Sequence, residues 1–291
     1  MSIAANSTCL QCNFRRNMEL AQAFGEGDAL TAFCRDLMLL YVNMPADAST
    51  VRICPEISDL FCKHFGTPED RYQEEKAMSN AFVLPRLPQI RALAEAAPDP
   101  VLAGLQFSIL GNYLDFSALQ GKVSFDALDE MLRDALSMEL DAEHIARFKE
   151  ELSRSKTLLY VTDNAGEIGF DRICAEMLQK AYPQLSITFC VRGAPALNDA
   201  TREDAALMGI PFPVIDNGTR IPGSELSLMG EEARNAFRTA DVILCKGMAN
   251  VETLHGCGLN IYYAVLIKCA RFVELFGKPM LSPMFLPEQA K

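Results

Sequence analysis

Apolar positions change their rhythm once along this chain. Up to about Arg154 they recur three and four residues apart, as in NMELAQAFGEGDALTAFCRDLMLLYVNM (17–44), RYQEEKAMSNAFVLPRLPQIRALAEAA (71–97) and FDALDEMLRDAL (125–136). That spacing places apolar side chains along one face of a helix. Turn signals at Gly27-Asp28, Thr67-Pro68 and Pro98-Asp99-Pro100 separate the stretches, and Pro85 and Pro88 kink or divide the longest one. Residues 1–154 therefore read as an all-helical part.

Beyond Arg154 short apolar runs replace the helical spacing: TLLYVT (157–162), LSITFCVR (185–192), FPVID (212–216), DVILCK (241–246) and IYYAVLIK (261–268). Each is short for a helix and rich in β-branched or aromatic residues, and helical stretches such as 167–181 and 227–238 lie between them. Strands alternating with helices predict a mostly parallel sheet covered on both faces. The expected fold class is α/β: a Rossmann-like core over 155–291 flanked by helices, with the helical part packed on it as a cap, since no flexible linker separates the two.

Composition narrows the function. In 291 residues, 49% of them hydrophobic, a large core can form. A net charge of -11, from 27 Lys plus Arg against 38 Asp plus Glu, argues against nucleic acid and anionic membranes as partners. No apolar run reaches the roughly 20 residues that span a bilayer, and no basic segment followed by an apolar one opens the chain. A cytoplasmic protein is expected, and assembly into a homo-oligomer is compatible with the sequence. The ten cysteines are scattered, several in apolar runs where a thiol is a small buried hydrophobe. The tight pair, Cys9-x-x-Cys12, is half of a zinc or redox spacing without a second half, so metal, redox and packing roles all stay open.

In an open parallel sheet, ligands bind beyond the carboxyl ends of the strands. Three predicted strand ends deliver Asp163-Asn164-Ala165-Gly166-Glu167, then Arg192-Gly193 leading to Asn198-Asp199, then Lys246-Gly247-Met248-Ala249-Asn250. Asp163, the Asn164 amide oxygen and Asp199 offer three hard oxygen ligands, suited to a divalent ion such as Mg²⁺, Mn²⁺, Co²⁺ or Ni²⁺, with positions left for water and substrate. Gly166 and Gly193 would let backbone N–H groups approach an anion, the helix starting near Glu167 would aim its positive end there, and Lys246 would add a full charge. Such equipment suits phosphoryl displacement. Each motif alone is also a common turn or helix cap. No phosphate loop, dinucleotide fingerprint or nucleophile elbow is present. Of three histidines, His64 and His144 fall in the helical part as surface or packing residues, while His255, near the Lys246 loop, is a candidate to approach substrate.

TDNAGEIGFD, VRGAPALNDATREDA and CKGMANVETL, in this order, together with GTPEDRYQEEKAMSNAFVLPRL and LGNYLDFSAL (110–119), resemble the signature blocks of the damage-control phosphatase family, formerly a domain of unknown function. Cys9-x-x-Cys12 points to its compact microbial branch. The resemblance covers nearly the whole chain. It implies a metal-dependent phosphatase acting on phosphate monoesters of small metabolites such as sugar phosphates, with Asp163, Asn164 and Asp199 as metal ligands and Lys246 as the phosphate-binding lysine. It also implies that Asn112 and Asp115 line the cleft from the helical part, and that Glu167, Asn198 and Asn250 touch substrate or support the ligands; Gly166, Arg192 and Gly193 complete the expected substrate-binding set. Asp163, Glu167 and Lys246 form the expected catalytic set, with Glu167 as general acid or base and either metal-activated water or Asp163 as nucleophile. One block departs: the family's Lys-Gly-Gln-Gly-Asn is Lys246-Gly247-Met248-Ala249-Asn250 here, apolar where a Gln is expected. The rival readings are a non-hydrolytic binding protein for a phosphorylated metabolite or nucleotide, and a group transferase using the same type of sheet.

Overall fold

The computed structural model describes residues 3–115, 119 and 123–288. Phe116, Ser117 and Ala118 of the LGNYLDFSAL block lie outside the described residues, as do Met1, Ser2 and residues 289–291. The first part of the chain is helical: α1 (Ser7–Ala21), α2 (Gly27–Asn43), α3 (Cys54–Phe65), α4 (Gln73–Val83), α5 (Leu87–Ala96), α6 (Pro100–Gly111), α7 (Phe125–Asp134) and α8 (Ala142–Arg154). The long periodic stretch around Pro85 and Pro88 is divided into α4 and α5 by a 3-10 turn, Leu84–Arg86, because proline gives no N–H to the helix ladder. Asp99 caps α6 by accepting from Leu102 N at 3.1 Å, and Pro100 occupies the first turn, where a missing N–H costs nothing.

Strands and helices then alternate: β1 (Thr157–Val161), α9 (Glu167–Ala181), β2 (Ser186–Val191), α10 (Arg202–Leu207), β3 (Val214–Asp216), α11 (Glu231–Thr239), β4 (Val242–Lys246), α12 (Met248–Leu254), β5 (Ile261–Leu266), α13 (Ala270–Phe276) and β6 (Pro283–Pro287). The sheet order is β3-β2-β1-β4-β5-β6, parallel except for β6, which runs antiparallel to β5. The strand β6 escapes a sequence reading because prolines bound it; as an edge strand it bonds on one side only, where proline is tolerated.

The strands bury both faces. Leu158, Tyr160, Phe189, Leu244 and Tyr262 join a core with α5, α6, α8 and α9, while Leu159, Val161, Ile243, Tyr263 and Val265 face α11, α12 and α13. A smaller apolar cluster, centred on Phe33, Leu37, Ile57 and Phe61, ties α2 to α3. Helix α6 is apolar on every side and buried from Ala103 to Gly111, so it runs through the interior beside α9. Burying Leu105, Phe107, Ile109 and Leu110 contributes about 2 kcal/mol each. A Cβ on Gly111 would stand 2.8 Å from the Phe170 ring, so glycine is what allows α6 to end against α9. That close approach delivers Asn112, the next residue, to the sheet's carboxyl edge. No helix among the described residues is long and apolar enough to cross a membrane.

Candidate active site

The strand order reverses direction between β1 and β4, and the loops leaving these two strands part around a crevice, the usual ligand position in such sheets. The β1–α9 loop carries Asp163 and Asn164; the segment after β2 carries Asn198 and Asp199. Backbone bonds join the two: Ala200 N donates to Asp163 O at 2.7 Å, Ala165 N donates to Asn198 O at 2.9 Å, and Asn164 and Asp199 pair as an isolated bridge. Leu197 takes a left-handed φ of 52° to present Asn198 and Asp199, a conformation that costs a non-glycine residue about 1–2 kcal/mol. Backbone strain immediately before a predicted ligand is local and specific.

Asp163, Asn164, Asn198, Asp199 and Asp115 all line a cavity of about 550 Å³. Asp163 Oδ2 accepts from Asn112 Nδ2 at 2.9 Å and from Asn164 Nδ2 at 2.8 Å; Asn164 Oδ1 accepts from Asn198 Nδ2 at 2.8 Å, which fixes the amide with a second lone pair to spare. Asp199 Oδ2 is held by Arg192 Nε at 2.5 Å. Burial, and then the charges of Glu167 and Asp199, push the Asp163 carboxyl well above the usual range. Burial also lifts Asp199 to about 6, against the pull of Arg192.

Behind these groups stands a second layer that does not line the cavity. Asn112 Nδ2 bonds both oxygens of Glu167, at 3.0 and 2.9 Å, and Lys246 Nζ donates to Glu167 Oε1 at 2.7 Å and to Ser108 O at 2.8 Å. Asp171 Oδ1 lies 3.2 Å from the same ammonium and accepts from Ser108 and Tyr160 hydroxyls. Burial opposes the Lys246 charge, but Asp171 and Glu167 outweigh it and hold the ammonium protonated above its ordinary range. Lys246, expected to bind phosphate, is fully enclosed here, with its ammonium on Glu167 and Asp171. Glu167, the expected general acid or base, is equally enclosed and is held by Asn112 and Lys246. Asn112 braces Asp163 instead of lining the cleft.

The remaining expected substrate contacts are also engaged elsewhere. Gly166 N donates to Asn80 Oδ1 at 2.8 Å, Gly193 N donates to Thr219 O and Asn217 Oδ1, and Asn250 Nδ2 donates to Thr162 O and Lys246 O. Arg192, 1% exposed, serves Asp199. His255, 3.5 Å from a Glu288 oxygen, is not among the cavity-lining residues. Conversely, sequence reasoning passed over Lys268, two residues beyond β5. Its Nζ donates to Asp115 Oδ2 at 2.6 Å and to Asn112 O at 2.7 Å, it lines the cavity, and its charge acts on Asp163. The signal for it was a lysine just past the carboxyl end of a strand, the rule already applied at Lys246.

Gly247 seals the floor. Its backbone, at φ 81° and ψ 150°, lies against the Asp163 carboxylate so closely that a Cβ would sit 2.1 Å from Asp163 Cγ. That region of backbone space is essentially confined to glycine. Gly247→Ala is expected to push Asp163 out of place, lowering phosphate release by about 100-fold or more for a misplaced ligand and weakening binding of added Mn²⁺ in a calorimetric titration. Wild-type Mn²⁺ affinity in the variant would remove Asp163 from the metal site.

The donor set fits a hard divalent cation on charge as well as on ligand type. Asp115, Asp163, Glu167, Asp171 and Asp199 are all buried, and the cations buried with them are Arg192, Lys246 and Lys268, so carboxyl groups outnumber cations by two. Unpaired buried charge is costly, and an oxygen-lined dication site removes that cost.

Known proteins share this architecture. The chain matches the damage-control phosphatase ARMT1-like domain over residues 5–282. It is 31% identical over 267 residues to a damage-control phosphatase of Archaeoglobus fulgidus, covering 90% of this chain and 91% of that one. A damage-control phosphatase of Pyrococcus horikoshii is 34% identical over 168 residues, 57% of each chain. The crystal structure of a DUF89 family protein from Pyrococcus horikoshii superposes with a TM-score of 0.80 at 25% identity, covering 98% of this chain and 99% of that one. On the domain match and the 31% relative together, the chain belongs to the damage-control phosphatase ARMT1-like family.

Proposed function

We propose that this phosphatase is a divalent-metal-dependent phosphomonoesterase for small phosphorylated metabolites, sugar phosphates among them, acting in the cytoplasm. The observation that carries the reading is the cluster of five buried carboxyl groups against three buried cations at the base of a 550 Å³ cavity, at the point where the strand order reverses. Such a site repels a phosphate ester unless a cation is present. We also place the chain in the compact microbial branch by its Cys9-x-x-Cys12 pair, both members of which line the cavity.

Asp163, Asn164 and Asp199 would hold the metal, which when bound supplies Lewis-acid charge at a phosphoryl oxygen. The rest falls to the chain. Asn112 and Asn164 fix the Asp163 carboxylate from one side, Arg192 fixes Asp199, and Asn198 fixes the Asn164 amide. Lys268, at the cavity wall, holds Asp115 and adds positive charge beside Asp163. Lys246, Glu167 and Asp171 hold the floor rigid, so the ligands need no rearrangement as charge develops. Attack on phosphorus, by water or by Asp163, then expels the alcohol.

The test is phosphate release from a panel of sugar phosphates and p-nitrophenyl phosphate, using chelator-stripped protein with Mg²⁺, Mn²⁺, Co²⁺ or Ni²⁺ restored. Activity is expected only with metal, and activity undiminished by chelation would refute metal dependence. Silence with every metal, alongside thermal stabilisation by the same phosphates, would favour a non-hydrolytic binding protein.

A further inference from the structure

At the cavity wall formed by α1, α3 and the segment before α4 lies a guanidinium with no ion pair among the described residues. Arg71 lines the cavity, and its Nε and Nη1 are buried without a hydrogen-bond partner. Its Cζ sits 3.8 Å from the centroid of the Phe61 ring, itself fully buried and packed 4.7 Å from the Phe33 ring. The stack fixes the plane of the fork, whose two unpaired donors lie buried behind the cavity lining. Other guanidiniums here meet a carboxylate: Arg86 meets Asp129, Arg91 meets Glu176, Arg202 meets Asp216 and Arg220 meets Asp59. Around Arg71 the ionisable neighbours are Tyr72, Cys62 and Cys54, and burial pushes its pKa down. Glu252, which lines the cavity from α12, bonds Ser49 instead.

This wall faces the same space as the carboxylate cluster. Cys54, Arg16 and Arg71 line the same cavity as Asp163 and Asp199. A buried planar fork with free donors is complementary to a phosphate or carboxylate, which it binds through paired N–H···O bonds. The cavity, at about 550 Å³, is of a size that holds a sugar with a substituent at either end.

We propose that Arg71, with Arg16, binds a second anionic group of the substrate, so that the preferred substrates are small metabolites carrying a phosphate ester at one end and another phosphate or a carboxylate at the other. The proposal rests on the phosphatase reading for the reacting end. There water adds to phosphorus, the P–O ester bond breaks and the alcohol leaves with a proton; the anion on Arg71 is unchanged. A bisphosphate would give a monophosphate and inorganic phosphate.

The test compares glucose 6-phosphate, glucose 1,6-bisphosphate and 6-phosphogluconate, with metal restored, for the wild type, Arg71→Met and Arg71→Lys. The wild type is expected to prefer at least one doubly anionic substrate by about tenfold in kcat/KM, as two charge-assisted bonds would give. Which of the two is preferred tells phosphate from carboxylate. In Arg71→Met the ratio should fall toward one, and Arg71→Lys should keep part of it. Melting curves establish folding first, and Arg71→Gln, which keeps the stem over Phe61, replaces the methionine variant if that one is unfolded. Absence of preference in the wild type, or an undiminished ratio in the folded variant, overturns the proposal. If no substrate releases phosphate, the phosphatase reading fails separately; calorimetry of metal-free protein with glucose 1,6-bisphosphate and glucose 6-phosphate then decides, equal affinities overturning the second-anion site and an Arg71-dependent difference supporting it.

Discussion

Asp163→Ala is expected to lower metal-restored phosphate release by about 10³-fold or more while leaving the fold intact, a loss typical of removing a group on which the reacting charge depends. Two amides, Asn112 and Asn164, exist to aim this carboxylate, and Gly247 is glycine to make room for it. Stability should change in the other direction. Asp163 is crowded by Glu167, Asp199 and Asp115, and both amides that it releases still bond Glu167. The metal-free variant should therefore melt at or above the wild-type temperature, because a repelled carboxylate has gone. Initial rates and melting curves on the same preparations check both halves. Normal turnover would remove Asp163 from the site; a collapse of the melting temperature would make it a folding residue.

Lys246→Met is expected to do the opposite, striking stability first. Its ammonium is the cation between Glu167 and Asp171, both fully buried, and its removal leaves them facing each other uncompensated. Breaking such a buried pair costs about 3–5 kcal/mol, which for a domain of this size lowers the melting temperature by roughly 10 °C. The effect should depend on pH. Asp171 is lifted by burial to about 6, from 3.8, with Lys246 pulling it down, so without the lysine it rises further. A carboxyl with a raised folded pKa loses stabilisation as pH climbs past its unfolded value. The deficit should widen from pH 5 to pH 8. Adding Asp171→Asn should restore part of it at pH 8. A Lys246→Met protein as stable as wild type, with only its phosphate affinity reduced, would return this residue to the cavity.

These two lysines show how far the sequence could be read. Both Lys246 and Lys268 close an apolar strand-like run, and strand ends converge on the ligand site. What separates them is depth. Lys246 is still inside β4, paired with Ala264 of β5, so its side chain enters the layer beneath α6; Lys268 lies two residues beyond the last residue of β5 and clears the sheet edge. Apolar periodicity does not resolve a shift of two residues. The α/β fold was legible because alternation of period is a property of whole segments: the stretch 167–181 reads as a helix and α9 has those bounds. The strand-end rule likewise put Asp163, Asn164 and Asp199 where their loops meet. Arg71 was not legible, since its place depends on packing between helices distant in sequence from the sheet.

Helix α6 has a consequence for how the protein is made. Apolar on all sides, it is covered by α9 and by strands that include β5, about 150 residues further along the chain. At ordinary elongation speeds of about 5–20 residues per second, it leaves the ribosome roughly 8 to 30 seconds before that cover exists. During that interval it is a sticky segment for chaperones to shield. Leu266 N, at the end of β5, donates to Asn112 Oδ1 at 3.1 Å, so the amide that braces Asp163 is itself held by a strand made about 150 residues later.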